Sequence, residues 1–295
     1  MRTRQLGPFS VSAIGLGAMP LSMGNNQQPD EQQAIATVHA ALDAGVTYID
    51  TADIYAPSWD TMGHNERIVA KALKQYRDPA LLSHVVVGTK GGITRTEGER
   101  WGRNASPEYL RSAVEASLRA LDTDVIDLYQ WHRPDRWRIY GECVETFRQL
   151  QDEGKIRAIG ICNANVEEID VALHVLGRDG LASVQNQFSP RYRSSREELN
   201  HCARHQIAFM AWGPLGGTGS NSKDIGSKYP VAQEIADAHQ VSPQQVVLAW
   251  ELSLGEQVIP IPGASQPQSI QDSAQAAGLE LTQDELTRIE AQFFC

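Results

Sequence analysis

Cysteine is scarce in this chain of 295 residues: Cys143, Cys162, Cys202 and Cys295 are the full set, and no two form a Cys-x-x-Cys pair. That excludes a disulfide-stapled small scaffold and a cysteine-built zinc site, and predicts reduced thiols. Runs of Lys or Arg are missing and the formal net charge is -10, so neither a nucleic acid nor an acidic membrane surface is expected as a partner. Unbroken apolar runs near the roughly 18 residues that a membrane helix needs are also missing. Arg2 and Arg4 precede an apolar segment at 9–21, but Gly15, Gly17 and Pro20 interrupt it and no small-residue cleavage site follows. No signal peptide is expected, and the expected location is the cytoplasm. The expected partner is a small molecule.

What the chain does contain is a regular alternation. Apolar, β-branched runs stand at 13–17, 46–49, 85–90, 125–131, 156–161, 183–187, 207–211 and 258–261. Between them lie stripes at helical spacing, such as Ala34, Ile35, Val38, Ala41 and Leu42, or Leu110, Ala113, Val114 and Leu118 after the Ser106–Pro107 start signal. Asn165 with Glu168, Ser195 with Glu198 and Thr282 with Glu285 have capping-box spacing. Residues 6–11 read as a short hairpin around Gly7 and Pro8. Eight strands with helices between them predict a parallel sheet. No composition shift marks a linker, so one domain over 1–295 is expected.

The polar residues choose between a closed and an open sheet. Asp50, Lys90, His132, Asn163, Trp212 and Gly263 stand just past strand ends, and Gln185 lies inside the sixth strand. Sites after nearly every strand suit a ring converging on one mouth, whereas an open sheet concentrates its site at one switch point. The loop Gly15-Leu16-Gly17-Ala18-Met19-Pro20 also lacks the third glycine of the dinucleotide fingerprint. The prediction is therefore a single (β/α)8 TIM barrel with a short N-terminal β-hairpin. A carboxylate such as Asp50 at a buried strand end needs a cationic partner, and Lys90, ending the third strand, is the candidate.

Several separated motifs run in a fixed order: Gly15-Leu16-Gly17, Asp50-Thr51-Ala52 with Tyr55, Gly63-x-Asn65-Glu66, Thr89-Lys90, Asp127-Leu128-Tyr129 with His132, Gly160-Ile161-Cys162-Asn163, Gln185-Asn186-Gln187, Pro214-Leu215-Gly216-Gly217 and Ile261-Pro262-Gly263. Together they resemble the aldo-keto reductase family across nearly the whole chain. The resemblance implies reversible reduction of an aldehyde or ketone to an alcohol by hydride transfer from a nicotinamide nucleotide, without a metal. It implies Tyr55 as general acid, Lys90 lowering its pKa, Asp50 holding Lys90, and His132 bonding and orienting the substrate oxygen. Such a reduction needs a proton donor and a positive field at the oxygen.

The same resemblance implies a nucleotide bound by Gly17, Ala18, Met19 and Asp50 on one side of the mouth. Asn163 and Gln185 would hold its carboxamide, beside Cys162, which stands where the family often has serine. Trp212 would stack on the ring, and Gly213, Pro214, Leu215, Gly216 and Gly217 would meet the pyrophosphate within a polar loop at 213–229. Gly263, Ser265, Gln268 and Asp272 complete the set. NADP(H) is the family's usual nucleotide, but no Lys or Arg stands between Lys228 and Arg288, so NAD(H) is expected to serve as well. Trp59 and Trp101 are expected in the substrate pocket with His132, and Phe293 and Phe294 are expected to contribute to it. His201 and His205, four apart, read as surface histidines and no metal site is expected. A monomer or weak homo-oligomer is expected. Two other readings stand beside this one, a redox-sensing module that holds nucleotide and a barrel lyase using Lys90 as a Schiff-base nucleophile.

Overall fold

The computed structural model describes residues 1–24, 28–217 and 220–293. Its strands in chain order are β1 (Thr3–Leu6), β2 (Phe9–Ser12), β3 (Leu16–Gly17), β4 (Tyr48–Asp50), β5 (Val86–Gly91), β6 (Ile93–Thr96), β7 (Arg100–Arg103), β8 (Ile126–Trp131), β9 (Ile156–Cys162), β10 (Leu181–Gln187), β11 (Ala208–Trp212) and β12 (Val258–Ile261). Eight of them form one parallel sheet in the order β3-β4-β5-β8-β9-β10-β11-β12. A bridge between Gly17 and Gly263 joins the two ends, so the sheet closes into the predicted barrel, with helices in the gaps.

Closure depends on Gly17. Gly15 N donates to Pro260 O at 3.0 Å and Gly17 N to Pro262 O at 3.0 Å. A Cβ on Gly17 would stand 2.8 Å from Ile261 O and 3.2 Å from Pro262 O. The backbones approach too closely for any side chain, which accounts for this glycine before any ligand is considered. Pairing on the other side is confined to Leu16 and Gly17, shorter than the predicted run at 13–17, because Ala13 and Ile14 pack outward against Leu248, Leu252, Ala276 and Ala277.

The hairpin β1–β2 pairs antiparallel and plugs the N-terminal end of the barrel. Leu6 and Val11 join Val86, Leu128, Ala158, Ala182, Ala208 and Ile259 in one buried cluster. Apolar plugging at that end leaves the C-terminal end as the mouth. A second hairpin, β6–β7, stands there after β5. It has no apolar alternation, since β7 is exposed throughout, which is why the segment reads as loop from sequence.

Two capping boxes form as expected, Asn165 with Glu168 and Thr282 with Glu285. The third does not: Ser195 makes no cap bond, and its Oγ instead accepts from Asn186 Nδ2 at 3.4 Å. Phe293 also departs from expectation. It is buried against Trp250 and Tyr229, with ring centroids 4.8 and 4.9 Å away, and takes no part in the mouth. Phe294 and Cys295 lie outside the described residues.

Replacing Gly17 with Ala should push β3 away from β12. Overpacking of this kind costs about 1–3 kcal/mol, and the urea midpoint should fall accordingly. An unchanged midpoint would show that the closure tolerates a side chain.

Candidate active site at the mouth of the barrel

Residues two apart on a strand face the same side. Toward the mouth the inward pairs are Tyr48 and Asp50 on β4, Gly88 and Lys90 on β5, Leu128 and Gln130 on β8, Gly160 and Cys162 on β9, and Ser183 and Gln185 on β10. A side chain at Gly88 would collide with the Tyr48 ring, so a small residue on one strand accommodates a large one on the next. Asp50 is the hub of this layer. Its Oδ2 accepts from Lys90 Nζ at 2.5 Å, while Oδ1 accepts from Gln185 Nε2 at 2.8 Å and from Tyr48 Oη and Gln130 Nε2 at 3.2 Å each.

Lys90 is wholly buried, and its ammonium is fully used: Asp50, Thr51 O at 2.8 Å and Tyr55 Oη at 3.4 Å. Burial alone would lower its pKa, but Asp50 and then Tyr55 outweigh it and hold the ammonium above its ordinary range. A lysine held so firmly protonated is a poor Schiff-base nucleophile, which disfavours the lyase reading. Tyr55 differs from the sequence expectation. Burial raises its phenol, Lys90 pulls it back and Asp50 raises it again, so that it is pushed up to about 12. Lys90 moderates that rise without reversing it.

His132 follows β8, and its backbone N donates to Gly91 O at 2.9 Å. Its ring meets Tyr55 edge-on, with centroids 5.7 Å apart and planes at 84°. Burial, then Lys90 and Arg133, hold the imidazole well below its usual range, so it is neutral. Its Nδ1 is buried without a partner among the described residues. Tyr55, Lys90 and His132 therefore present a phenol O–H, a cation and a neutral ring around one point, an arrangement suited to meeting a developing oxyanion.

Backbone bonds from β5 and a buried asparagine position the Tyr55 loop. Asp53 N donates to Lys90 O at 3.2 Å and Asn65 N to Tyr55 O at 3.1 Å. The Asn65 side chain accepts from Thr51 Oγ1 at 2.6 Å and donates to Ala18 O and Ser22 Oγ, both at 2.8 Å. Glu66 accepts from Thr89 Oγ1 at 2.6 Å beneath the lysine. Sequence reading found Asn65 and Glu66 only as motif letters and missed Tyr48 and Gln130. The signal for the latter two was their strand parity with Asp50 and Lys90.

The residues expected at the nucleotide fall into four groups. Asn163 has a left-handed φ of 56°; its Nδ2 donates to His132 O at 3.0 Å and its Oδ1 accepts from Trp212 Nε1 at 3.2 Å. Cys162 is buried below them, with Sγ donating to Gln130 Oε1 at 3.7 Å. Gly213, Gly216 and Gly217 all have positive φ and make a tight turn closed by Gly216 N and Gly217 N on Gly213 O, with Pro214 and Leu215 inside it. Beyond it the predicted polar loop is partly folded, as Ser220–Asp224 and Ile225–Lys228 are helical turns and Ile225 is buried; residues 218 and 219 lie outside the described set. Gly263, Ser265 and Gln268 follow β12, and Ser265 O accepts from Gln33 Nε2 at 2.8 Å. Asp272 is tied to Ser242 Oγ at 2.7 Å and Gln245 Nε2 at 2.6 Å. Met19 packs beside Tyr55, and Ala18 N donates to Asp50 O at 2.9 Å. Carboxamide side chains, an indole and a glycine turn around one rim fit a nicotinamide nucleotide.

Trp59 and Trp101 are exposed on the loops after β4 and β5. Glu99 links these loops, accepting from Trp59 N at 3.0 Å and pairing with Arg95, whose guanidinium lies 4.9 Å from the Trp101 ring centre. Neither indole stacks on Tyr55 or His132. His201 is not the surface residue expected: it is buried, with Nε2 against Asp170 Oδ1 at 2.8 Å and Nδ1 against Arg204 at 3.0 Å. Potential ligand atoms of Asp170, His201 and His205 lie within 4.8 Å of one another, on the helices Val166–Leu176 and Arg196–His205.

A family model described as Aldo/keto reductase family matches residues 13–292. The 6-dehydroglucose reductase of Novosphingobium aromaticivorans is 35% identical, the match covering 92% of this chain and 89% of that protein. A probable aldo-keto reductase of Glycine max is 30% identical over 95% of this chain and 85% of its own length. Among solved structures, an aldo/keto reductase from Klebsiella pneumoniae in complex with NADP and acetate is 28% identical with a TM-score of 0.81, over 99% of this chain and 95% of that one.

Breaking a buried ion pair from one side leaves an uncompensated charge, at a cost of about 3–5 kcal/mol. Lys90→Met should lower unfolding stability by that amount, and Lys90→Met with Asp50→Asn should recover part of it. Urea titrations of both variants decide this, and equal losses in the two would show that Asp50 is stable without the lysine.

Proposed function

Because the chain belongs to the aldo/keto reductase family and reduces carbonyl compounds with a nicotinamide nucleotide, we propose that Tyr55 protonates the carbonyl oxygen, supported by Lys90, Asp50 and His132. The observation that carries this reading is the buried chain of contacts from Asp50 through Lys90 Nζ to Tyr55 Oη, with the His132 ring beside it. The nucleotide, when bound, supplies the hydride. His132, neutral, donates a hydrogen bond to the oxygen and orients it. Tyr55 transfers its proton as charge grows there; an alkoxide is a much stronger base than a phenolate, so the step runs downhill even from a phenol pushed up to about 12. Lys90 stabilises the phenolate left behind, and Asp50 keeps the ammonium in place. The positive field comes from Lys90, so the reading requires no metal.

Asn163 and Gln185 would hold the nicotinamide carboxamide by exchanging bonds they now make inside the protein. Trp212 would cover the ring face, and the turn from Gly213 to Gly217 would receive the pyrophosphate at close backbone range. Trp59 and Trp101 would form the outer wall for substrate. The same reading includes one domain over 1–295, supported by a family match from 13 to 292, and a monomer or weak homo-oligomer. Cytoplasmic action fits the free thiols of Cys143, Cys162 and Cys202. No helix among the described residues is long and apolar enough to cross a membrane.

Tyr55→Phe should cut reduction by about two to four orders of magnitude with nucleotide affinity nearly unchanged. Retention of more than about a tenth of wild-type kcat, with chemistry limiting, would contradict the assigned role.

The segment after β12 offers Ser265 and Gln268 but no cation to a 2′-phosphate. A charged hydrogen bond is worth roughly 1.5–3 kcal/mol, so preference for NADPH over NADH should be weak. The ratio of kcat/KM for the two at low salt measures it, and a preference above about a thousandfold, roughly 4 kcal/mol, would reveal a phosphate clamp elsewhere.

A further inference from the structure

The protein is acidic overall, with a formal net charge of -10, yet the loop after β8 carries an arginine next to His132. Arg133 directly follows His132 and is half-buried. No hydrogen bond or ion pair occupies its side chain among the described residues. Carboxylates on nearby loops are already engaged. Asp135 pairs with Arg138 at 3.4 Å and accepts from Ala105 N at 3.4 Å; Glu168 holds Arg136 at 2.8 and 3.0 Å; Glu99 pairs with Arg95. A second guanidinium comes to the same loop, since Arg103 on β7 donates to Pro134 O at 3.2 Å. One cation thus stands in this loop and a second bonds it, and among the described residues no acid pairs with Arg133.

The nucleotide's phosphates do not account for this charge. In the barrel order β8 stands four positions from β12 and three from β11, so Arg133 lies across the mouth from the glycine turn and the segment after β12. We infer that Arg133, with Arg103 beside it, anchors an oxyanion carried by the carbonyl substrate, so that the enzyme acts preferentially on carboxylate- or phosphate-bearing aldehydes and ketones. This rests on the carbonyl-reductase reading. A planar guanidinium binds either group through paired N–H donors, and its position next to His132 would set the oxyanion at a fixed distance from the reacting carbonyl. The charge of Arg133 also contributes, after burial and Lys90, to keeping His132 neutral, which places it within electrostatic reach of that ring.

Two matched pairs test the inference: succinic semialdehyde against butanal, and glyceraldehyde 3-phosphate against glyceraldehyde. Wild-type kcat/KM should favour the anionic member of at least one pair, and Arg133→Met should lower that anionic-to-neutral ratio by about 10- to 150-fold, the range expected for one charged hydrogen bond. Arg133→Lys should keep part of the preference, and added salt should reduce it. The preferred pair distinguishes a carboxylate from a phosphate. Calorimetric titration of the NADPH-loaded protein with succinate and with glycerol 3-phosphate gives a readout without turnover; binding of the favoured anion should weaken at least about tenfold in Arg133→Met. Ratios near one in both wild-type pairs, a ratio unmoved by Arg133→Met, or no binding of either anion would overturn the inference. Reduction of the neutral members alone would do so while leaving the reductase reading intact.

Discussion

Everything at the mouth depends on one buried ion pair, Lys90 with Asp50. Neither charge can be withdrawn from water without compensation, and the barrel supplies it in kind. Three further donors converge on Asp50 from three strands, and the ammonium of Lys90 finds a carboxylate, a carbonyl and a phenol. Because these partners come from β4 and its following loop, β8 and β10, the pair is satisfied only when the sheet curls to bring those strands around one point. The same bonds that make the charges tolerable fix the direction in which Lys90 meets Tyr55.

That dependence explains which parts of the site were legible in the sequence. Asp50 and Lys90 could be matched because an unpaired carboxylate at a buried strand end demands a cation, and a lysine closed the next strand. His132 and Asn163 followed from their position past strand ends. The family motifs then supplied Tyr55 and the nucleotide side. Tyr48 and Gln130 escaped notice because a tyrosine or glutamine within an apolar strand resembles ordinary core or an odd polar residue until the neighbouring strand's register is known. The direction of the Tyr55 shift could not be read either. It is a balance between burial, which raises the phenol, and Lys90, which lowers it, and burial is a property of the finished fold.

The fold was legible for a different reason. A barrel repeats one local rule, strand then helix, so errors at single elements leave the count intact. The misreadings fell where local chemistry was outcompeted. Ser195 has the spacing of a cap, but Asn186 donates to its hydroxyl. The hairpin β6–β7 lacks apolar alternation because β7 is exposed throughout and one of the two buried positions of β6 is Arg95, beside Ile93. Phe293 looked available near a chain end, yet Trp250 and Tyr229 offered it an apolar seat.

Gly17 shows how a motif residue can carry two readings of unequal standing. Glycine beside a nucleotide is usually explained by close backbone approach to the ligand. Here the approach is to the protein's own last strand, since Ile261 O and Pro262 O occupy the space a Cβ would need. Closure therefore requires this glycine whether or not a nucleotide is present. The turn from Gly213 to Gly217 is the converse case. Gly216 and Gly217 have positive φ but no backbone wall within contact of Gly217, where the nearest atoms belong to the side chains of Gln187 and Tyr192 at 3.6 and 3.7 Å. Gly217 is therefore explained by its φ, whereas a Cβ on Gly213 would stand 3.0 Å from Gly217 Cα, so the turn closes tightly on itself. One residue type thus has two uses here: close packing of backbone where the sheet closes, and positive φ in the turn after β11.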